Sequence, residues 1–168
     1  MVPWGRAIVV GQVERSFVFL KPGAVKRGLM GEIIARIERK GLRIRAMRLH
    51  RMTREEAEEL YAPHKGKEFF GRLVEHVTSG PVLLMVVEGP SAIRVMRRMI
   101  GATDPVEAAP GTIRGDLALD ITANVIHAAD GPESAEREMR IFFTEEELAR
   151  LWEGAVSYTH LRAHETEA

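Results

Sequence analysis

The chain is 168 residues long, with 45% hydrophobic and 29% charged residues; the length suits one domain around one core, and the balance excludes a disordered chain. Lys plus Arg equals Asp plus Glu at 24 each, so bulk charge makes no strong case for nucleic acid, and any anion site must be local. Cys is absent, which excludes disulfides, thiolate metal sites and thiol catalysis and suits a reducing, cytoplasmic setting. Apolar runs such as Val82 to Val87 are too short to span a bilayer, Met1 to Val13 lacks a secretory signal pattern, and no membrane partner is expected.

Ser16 to Leu20 is a β-branched and aromatic run that predicts a strand, stopped by a turn at Lys21-Pro22-Gly23. Leu29, Ile33, Ile34 and Ile37 recur at helical spacing, and Gly41 ends that helix. Leu42 to Leu49 alternates as a half-buried strand, with its register slipping near Ala46-Met47. Thr53-Arg54-Glu55-Glu56 is a capping box that opens a helix to about Tyr61, closed by Pro63. Phe69, Phe70, Leu73, Val74 and Val77 mark another helix, ended by Ser79-Gly80-Pro81.

Val82 to Val87 is continuously apolar and predicts a central strand. Ser91 is placed to cap a helix that stops at Gly101, and Thr103 to Asp116 reads as a long loop, ordered or largely irregular. Asn124 to Ala128 predicts a short strand. Asp130 is placed to cap a helix with Pro132 in its first turn, and Thr144 to Glu147 is a second capping box. This order predicts an α+β fold, a ferredoxin-like sandwich with a four-stranded antiparallel sheet covered by helices.

The ends read as foreign to the domain. Val156 to Thr166, VSYTHLRAHET, resembles the translated peptide of a common transposase-type sequencing adapter. Residues 156–168 are therefore expected to be an artefactual tail, and residues 1–13 an extension that is either natural or the product of a misplaced start codon. Residues 14–155 form the expected domain. His160 and His164 have the spacing of a helical metal pair, but no third ligand is evident.

Three distant segments carry the chemistry. They are Lys21-Pro22, then Gly111-Thr112-Ile113-Arg114-Gly115-Asp116, then Asn124-Val125-Ile126-His127-Ala128-Ala129-Asp130 followed by Glu138. Together, from about Glu14 to about Trp152, they resemble the nucleoside diphosphate kinase family, whose active-site signature is the Asn-x-x-His element followed by Asp. Each piece is weak alone; their joint order and separation are specific.

The resemblance implies transfer of the γ-phosphate of a nucleoside triphosphate to a nucleoside diphosphate by a ping-pong mechanism through phospho-His127. An imidazole with an ordinary pKa near about 6.5 is largely unprotonated at neutral pH and can take up and release a phosphoryl group. Outside this context, a lone His after an apolar pair is more often structural. Glu138 matches the carboxylate that orients the ring. Lys21, Arg97 and Arg114 match phosphate contacts, with Thr103 beside them, because a transferring phosphoryl group needs cations around it. Arg98 competes with Arg97 for that position, and each Arg would by default be a solvated surface residue. Asn124 matches the sugar-hydroxyl contact, Tyr61 an aromatic near the histidine and phosphates, and Phe69 the aromatic that stacks on the base, with Phe70 taking the core position. Mg²⁺ is expected with the nucleotide, bridging phosphate oxygens, with Asp130 reaching it through water.

Two departures stand out. Ala129 replaces a usual Ser whose hydroxyl would support the Glu138–His127 pair; losing a bond worth about 1 kcal/mol predicts reduced rather than abolished turnover. Gly23 replaces a usual Asp. The resemblance also implies a homo-oligomer, most readily a hexamer, with Thr103 to Asp116 as a subunit-contact loop. The competing readings are a catalytically weakened relative and a non-enzymatic nucleotide- or nucleic-acid-binding module on the same fold.

Overall fold

The computed structural model describes residues 13–152; the expected artefactual tail with His160 and His164, and all but Val13 of the expected extension, lie outside the described residues. Four strands form one sheet: β1 (Val13–Leu20), β2 (Arg43–His50), β3 (Val82–Pro90) and β4 (Ile126–Ala128). Their order is β2-β3-β1-β4, and every neighbouring pair is antiparallel. This is the expected ferredoxin-like α+β arrangement. The expected central strand is β3, and it is buried from Val82 to Gly89.

The sheet has helices on both faces, because alternate residues of β1 and β3 serve two cores. Phe17, Phe19, Val82, Leu84 and Val86 pack with α3 (Arg54–Leu60), α4 (Phe70–Thr78), α7 (Pro132–Phe142) and α8 (Glu145–Trp152). Val18, Leu20, Leu83, Met85 and Val87 pack with α1 (Pro22–Lys26), α2 (Met30–Lys40), α5 (Ala92–Ile100) and α6 (Ile113–Leu117). The four residues Phe17 to Leu20 are each 0% exposed, so β1 is interior on both sides.

Local chemistry explains most element ends. Thr53 accepts from Glu56 N at 3.0 Å while Glu56 accepts from Thr53 N at 2.9 Å, the reciprocal capping box read in the sequence. Thr144 and Glu147 repeat it at 3.1 and 2.8 Å. Gly41 ends α2 at φ 103°, in the left-handed region.

Several local expectations are corrected. Lys21-Pro22-Gly23 is not a turn: Lys21 is extended and Pro22 starts the five-residue α1, since its fixed φ suits a first helical position. Ser91 sits at φ 51° and makes no capping bond; the α5 amide of Ile93 donates instead to Glu14 Oε1 at 3.1 Å. Asp130 stands outside α7, whose N-cap is Gly131 without a side-chain bond. The segment expected to be a long loop, ordered or largely irregular, contains the start of α6, opened by Thr112, whose hydroxyl accepts from Gly115 N at 3.0 Å. The β2 register shifts between Ile44 and Ala46, slightly before the expected slip. β4 begins at Ile126, because Val125 has φ 78° and cannot continue a strand.

Candidate active site

The middle residue of β4 is His127, paired across the sheet with Phe19. Its ring lies 5.0 Å from the Phe19 ring at 29° and 6.4 Å from Phe17. The side chain is 21% exposed, walled by apolar rings on one side and open on the other. Glu138 lies on the buried stripe of α7 with Ala135, Met139 and Phe142. Its Oε1 is 2.7 Å from His127 Nε2. An ionised carboxylate can only accept, so Nε2 donates to it and, in the neutral ring, Nδ1 carries the lone pair.

Lys21 follows the end of β1, where its amide donates to Val125 O at 2.9 Å. The side chain is 5% exposed, and its pKa is lowered to about 7 by burial and then by the Arg114 charge. Arg114, on α6, donates to Ile126 O at 2.7 Å, Gly101 O at 3.2 Å and Asn124 O at 3.3 Å. Burial, then Arg97, lower its pKa to about 10, while Tyr61 opposes. Among the described residues neither Lys21 nor Arg114 has a carboxylate partner. Arg114 is a buried cation held by neutral carbonyls, and with Lys21 buried beside it the pocket is set to take an incoming anion.

The other candidates surround them. Arg97 donates to Ala128 O at 3.1 Å, next to His127. Asn124 is 3% exposed; its Nδ2 donates to Thr103 O at 3.0 Å, and its Oδ1 has no partner. The buried Tyr61 hydroxyl also has none, and its pKa is pushed up by burial and then by Glu138, against Arg114. Orphaned buried polar atoms are rare, and two here suit a polar ligand. Phe69 is 37% exposed at the rim, while Phe70 packs on the core as expected. Asp130 is exposed, and its charge reaches His64. Ala129 is fully buried, its amide donating to Phe17 O at 3.0 Å. A side chain at Gly23 would meet open space.

Sequence reasoning missed His64 and Lys67. Lys67 Nζ donates to His64 Nδ1 at 3.1 Å, and the His64 and Phe69 rings are 5.4 Å apart. Burial and then Lys67 lower the His64 pKa, with a smaller push from His127. The only available signal was their closeness in sequence to Tyr61 and Phe69, which any surface His and Lys could share. Among the described residues no group of three or more His, Cys, Asp or Glu could hold a metal ion.

An imidazole with one nitrogen tied to a carboxylate, on a strand whose carbonyls hold Arg97 and Arg114, suits a phosphotransferase that carries the group on itself. Similarity to known proteins narrows that class. The nucleoside diphosphate kinase family matches residues 14–148, and the chain belongs to that family. It is 61% identical over 141 residues to the nucleoside diphosphate kinase of Ignicoccus hospitalis, covering 84% of this chain and 96% of that one. It is 63% identical over 136 residues to that of Hyperthermus butylicus, covering 81% and 96%. Among solved structures, a halophilic nucleoside diphosphate kinase from Halobacterium salinarum in complex with CDP matches with TM-score 0.77 and 45% identity over 83% of this chain and 99% of that one. The Encephalitozoon cuniculi enzyme matches with TM-score 0.82 and 36% identity over 89% and 98%. The activity is phosphotransfer between nucleoside tri- and diphosphates.

Proposed function

We propose that the chain moves the γ-phosphoryl group of a nucleoside triphosphate onto His127 and then onto a second nucleoside diphosphate, in a ping-pong cycle. The observation that carries this mechanism is the 2.7 Å pairing of His127 Nε2 with Glu138 Oε1. Glu138 holds the Nε2 proton, and the Nδ1 lone pair attacks the γ-phosphorus. The bond from that phosphorus to the bridging oxygen breaks, and the diphosphate leaves with its electron pair. Glu138 stabilises the positive charge that the ring acquires. A terminal oxygen of the second diphosphate then attacks phosphorus, and the ring leaves neutral.

Lys21, Arg97 and Arg114 gather the phosphate oxygens, with the Thr103 hydroxyl beside them. Asn124 Oδ1 accepts from the sugar hydroxyl, Tyr61 donates its hydroxyl near the phosphates, and Phe69 stacks on the base. Base stacking reads no edge pattern, which fits several nucleotides. The exposed Asp130 would hold a nucleotide-bound Mg²⁺ through water, and the ion would supply charge neutralisation on the phosphates. We place the reaction in the cytoplasm, a reading supported by the absence of Cys and by the lack, among the described residues, of any helix long and apolar enough to cross a membrane.

A homohexamer is the proposed assembly. Support comes from the segment between α5 and β4, which exposes Val106, Leu119 and Ile121.

The mechanism is tested with γ-labelled ATP and Mg²⁺. The chain should form an acid-labile, base-stable protein phosphate that GDP discharges, and His127→Asn should form none. Nucleotide exchange at an unchanged rate in that variant would overturn the reading.

A further inference from the structure

Arg137 directly precedes Glu138 on α7, yet its guanidinium reaches across to the end of α3. Its Nη1 donates to Glu59 O at 3.0 Å and its Nη2 to Leu60 O at 3.3 Å. These carbonyls belong to the last turn before Tyr61. The same Nη2 lies 3.7 Å from Glu138 Oε2, the oxygen not bonded to His127. One planar cation therefore spans the turn that carries Tyr61 and the carboxylate that carries the imidazole.

That geometry bears on the chemistry. A carboxylate held through one oxygen can still turn, because the terminal torsion of Glu is broad and weakly restricted. Glu138 is 5% exposed, and water has little access to steady its second oxygen. The titratable and charged groups around it are His127 from β4, the neutral Tyr61 hydroxyl from the end of α3 and Arg137 beside it, with Lys21, Arg97 and Arg114 further round the site. Of these cations, only Arg137 is ion-paired with Glu138.

We propose that Arg137 is a positioning residue for phosphoryl transfer: by joining the last turn of α3 to Glu138 Oε2, it fixes the carboxylate plane and so keeps the His127 proton on Nε2. This rests on the reading of His127 as the nucleophile. A purely structural clamp between α3 and α7 would lower thermal stability alone.

The test uses the full chain with Arg137→Met and Arg137→Lys. The readouts are thermal midpoint, single-turnover phosphorylation from labelled ATP with Mg²⁺, nucleotide KM, and the ¹⁵N shifts of the His127 ring. Arg137→Met should slow phosphorylation about tenfold with KM changed less than about twofold, because orientation rather than binding is lost. Its ring signals should move from the Nε2–H tautomer toward a mixture. Arg137→Lys should recover much of the rate, since an ammonium can still bridge Oε2 and one carbonyl. Should Arg137→Met fail to fold, Arg137→Lys carries the test with a smaller slowing and the same direction of ring shift. An unchanged rate, a loss confined to KM, or a lower midpoint with unmoved ring signals overturns the inference. Label on His127 of the unaltered chain separates the two levels. Its absence defeats the underlying mechanism, whereas its presence with an unaffected Arg137→Met defeats only the role of Arg137.

Discussion

Lys21 is an ammonium kept where water hardly reaches. Burial and the neighbouring Arg114 lower its pKa to about 7, against about 10.4 in an unfolded chain. Between those values the unfolded chain binds more protons than the folded one, so this group's contribution to stability rises with pH across that window. Below pH 7 the full penalty of burying the charge applies. On the proposed role of Lys21, an incoming phosphate would reverse the local field and restore the ammonium. Nucleotide binding near about pH 7.5 should therefore take up a fraction of a proton, visible as binding heats that differ between buffers of different ionisation enthalpy. Equal heats would remove Lys21 from the phosphate contacts. The position of Lys21 was legible because Lys-Pro at a strand end belongs to a pattern with distant partners. Glu138 was legible only through the same pattern: read alone it is a surface helix charge, and the fold is what sets it on a buried stripe with Ala135, Met139 and Phe142. Arg137 and His64 carried no such signal, since each stands among ordinary surface charges in the sequence.

At the level of elements, the site depends on where short helices begin and end. Gly101 terminates α5 at φ 86°, ψ −174°, a region that essentially only glycine occupies. A Cβ there would stand 2.5 Å from Thr112 Oγ1, the hydroxyl that opens α6, and Gly101 O accepts from Arg114. Gly101→Ala should destabilise the fold by about 2–4 kcal/mol, combining backbone strain with overpacking. Because Arg114 moves with it, nucleotide KM should also rise. Denaturant unfolding with steady-state kinetics checks both, and an unchanged KM in a destabilised variant would separate this turn from the site. The elements readable from sequence were those with self-contained chemistry. Both capping boxes are local loops of two side chains on two backbone amides, and both form. Ser91 and Asp130 looked equivalent, but capping needs an extended backbone at the cap. Ser91 is left-handed, and the bond to Ile93 comes from Glu14 on another strand. An acceptor that distant leaves no mark in the local sequence. The left-handed Val125 is equally invisible, since a β-branched residue normally reads as strand.

For the whole molecule, the proposed assembly has a direct check. Leu119 is 89% exposed and Ile121 55%, in a segment that borders Asn124 and the site. Leu119→Glu with Ile121→Glu should shift light-scattering mass toward smaller species. A monomeric mass for the unaltered chain would remove the proposed hexamer. The sheet order has a further consequence, for synthesis. β1 lies between β3 and β4, both of which leave the ribosome after it, and no neighbour for it exists until residues 82–90 emerge. Phe17 to Leu20, each fully buried in the end, are thus the first part of the described core to be made and among the longest to wait. Nascent chains stalled before β3 should bind chaperones or clump through this stretch, whereas chains released after β4 should not.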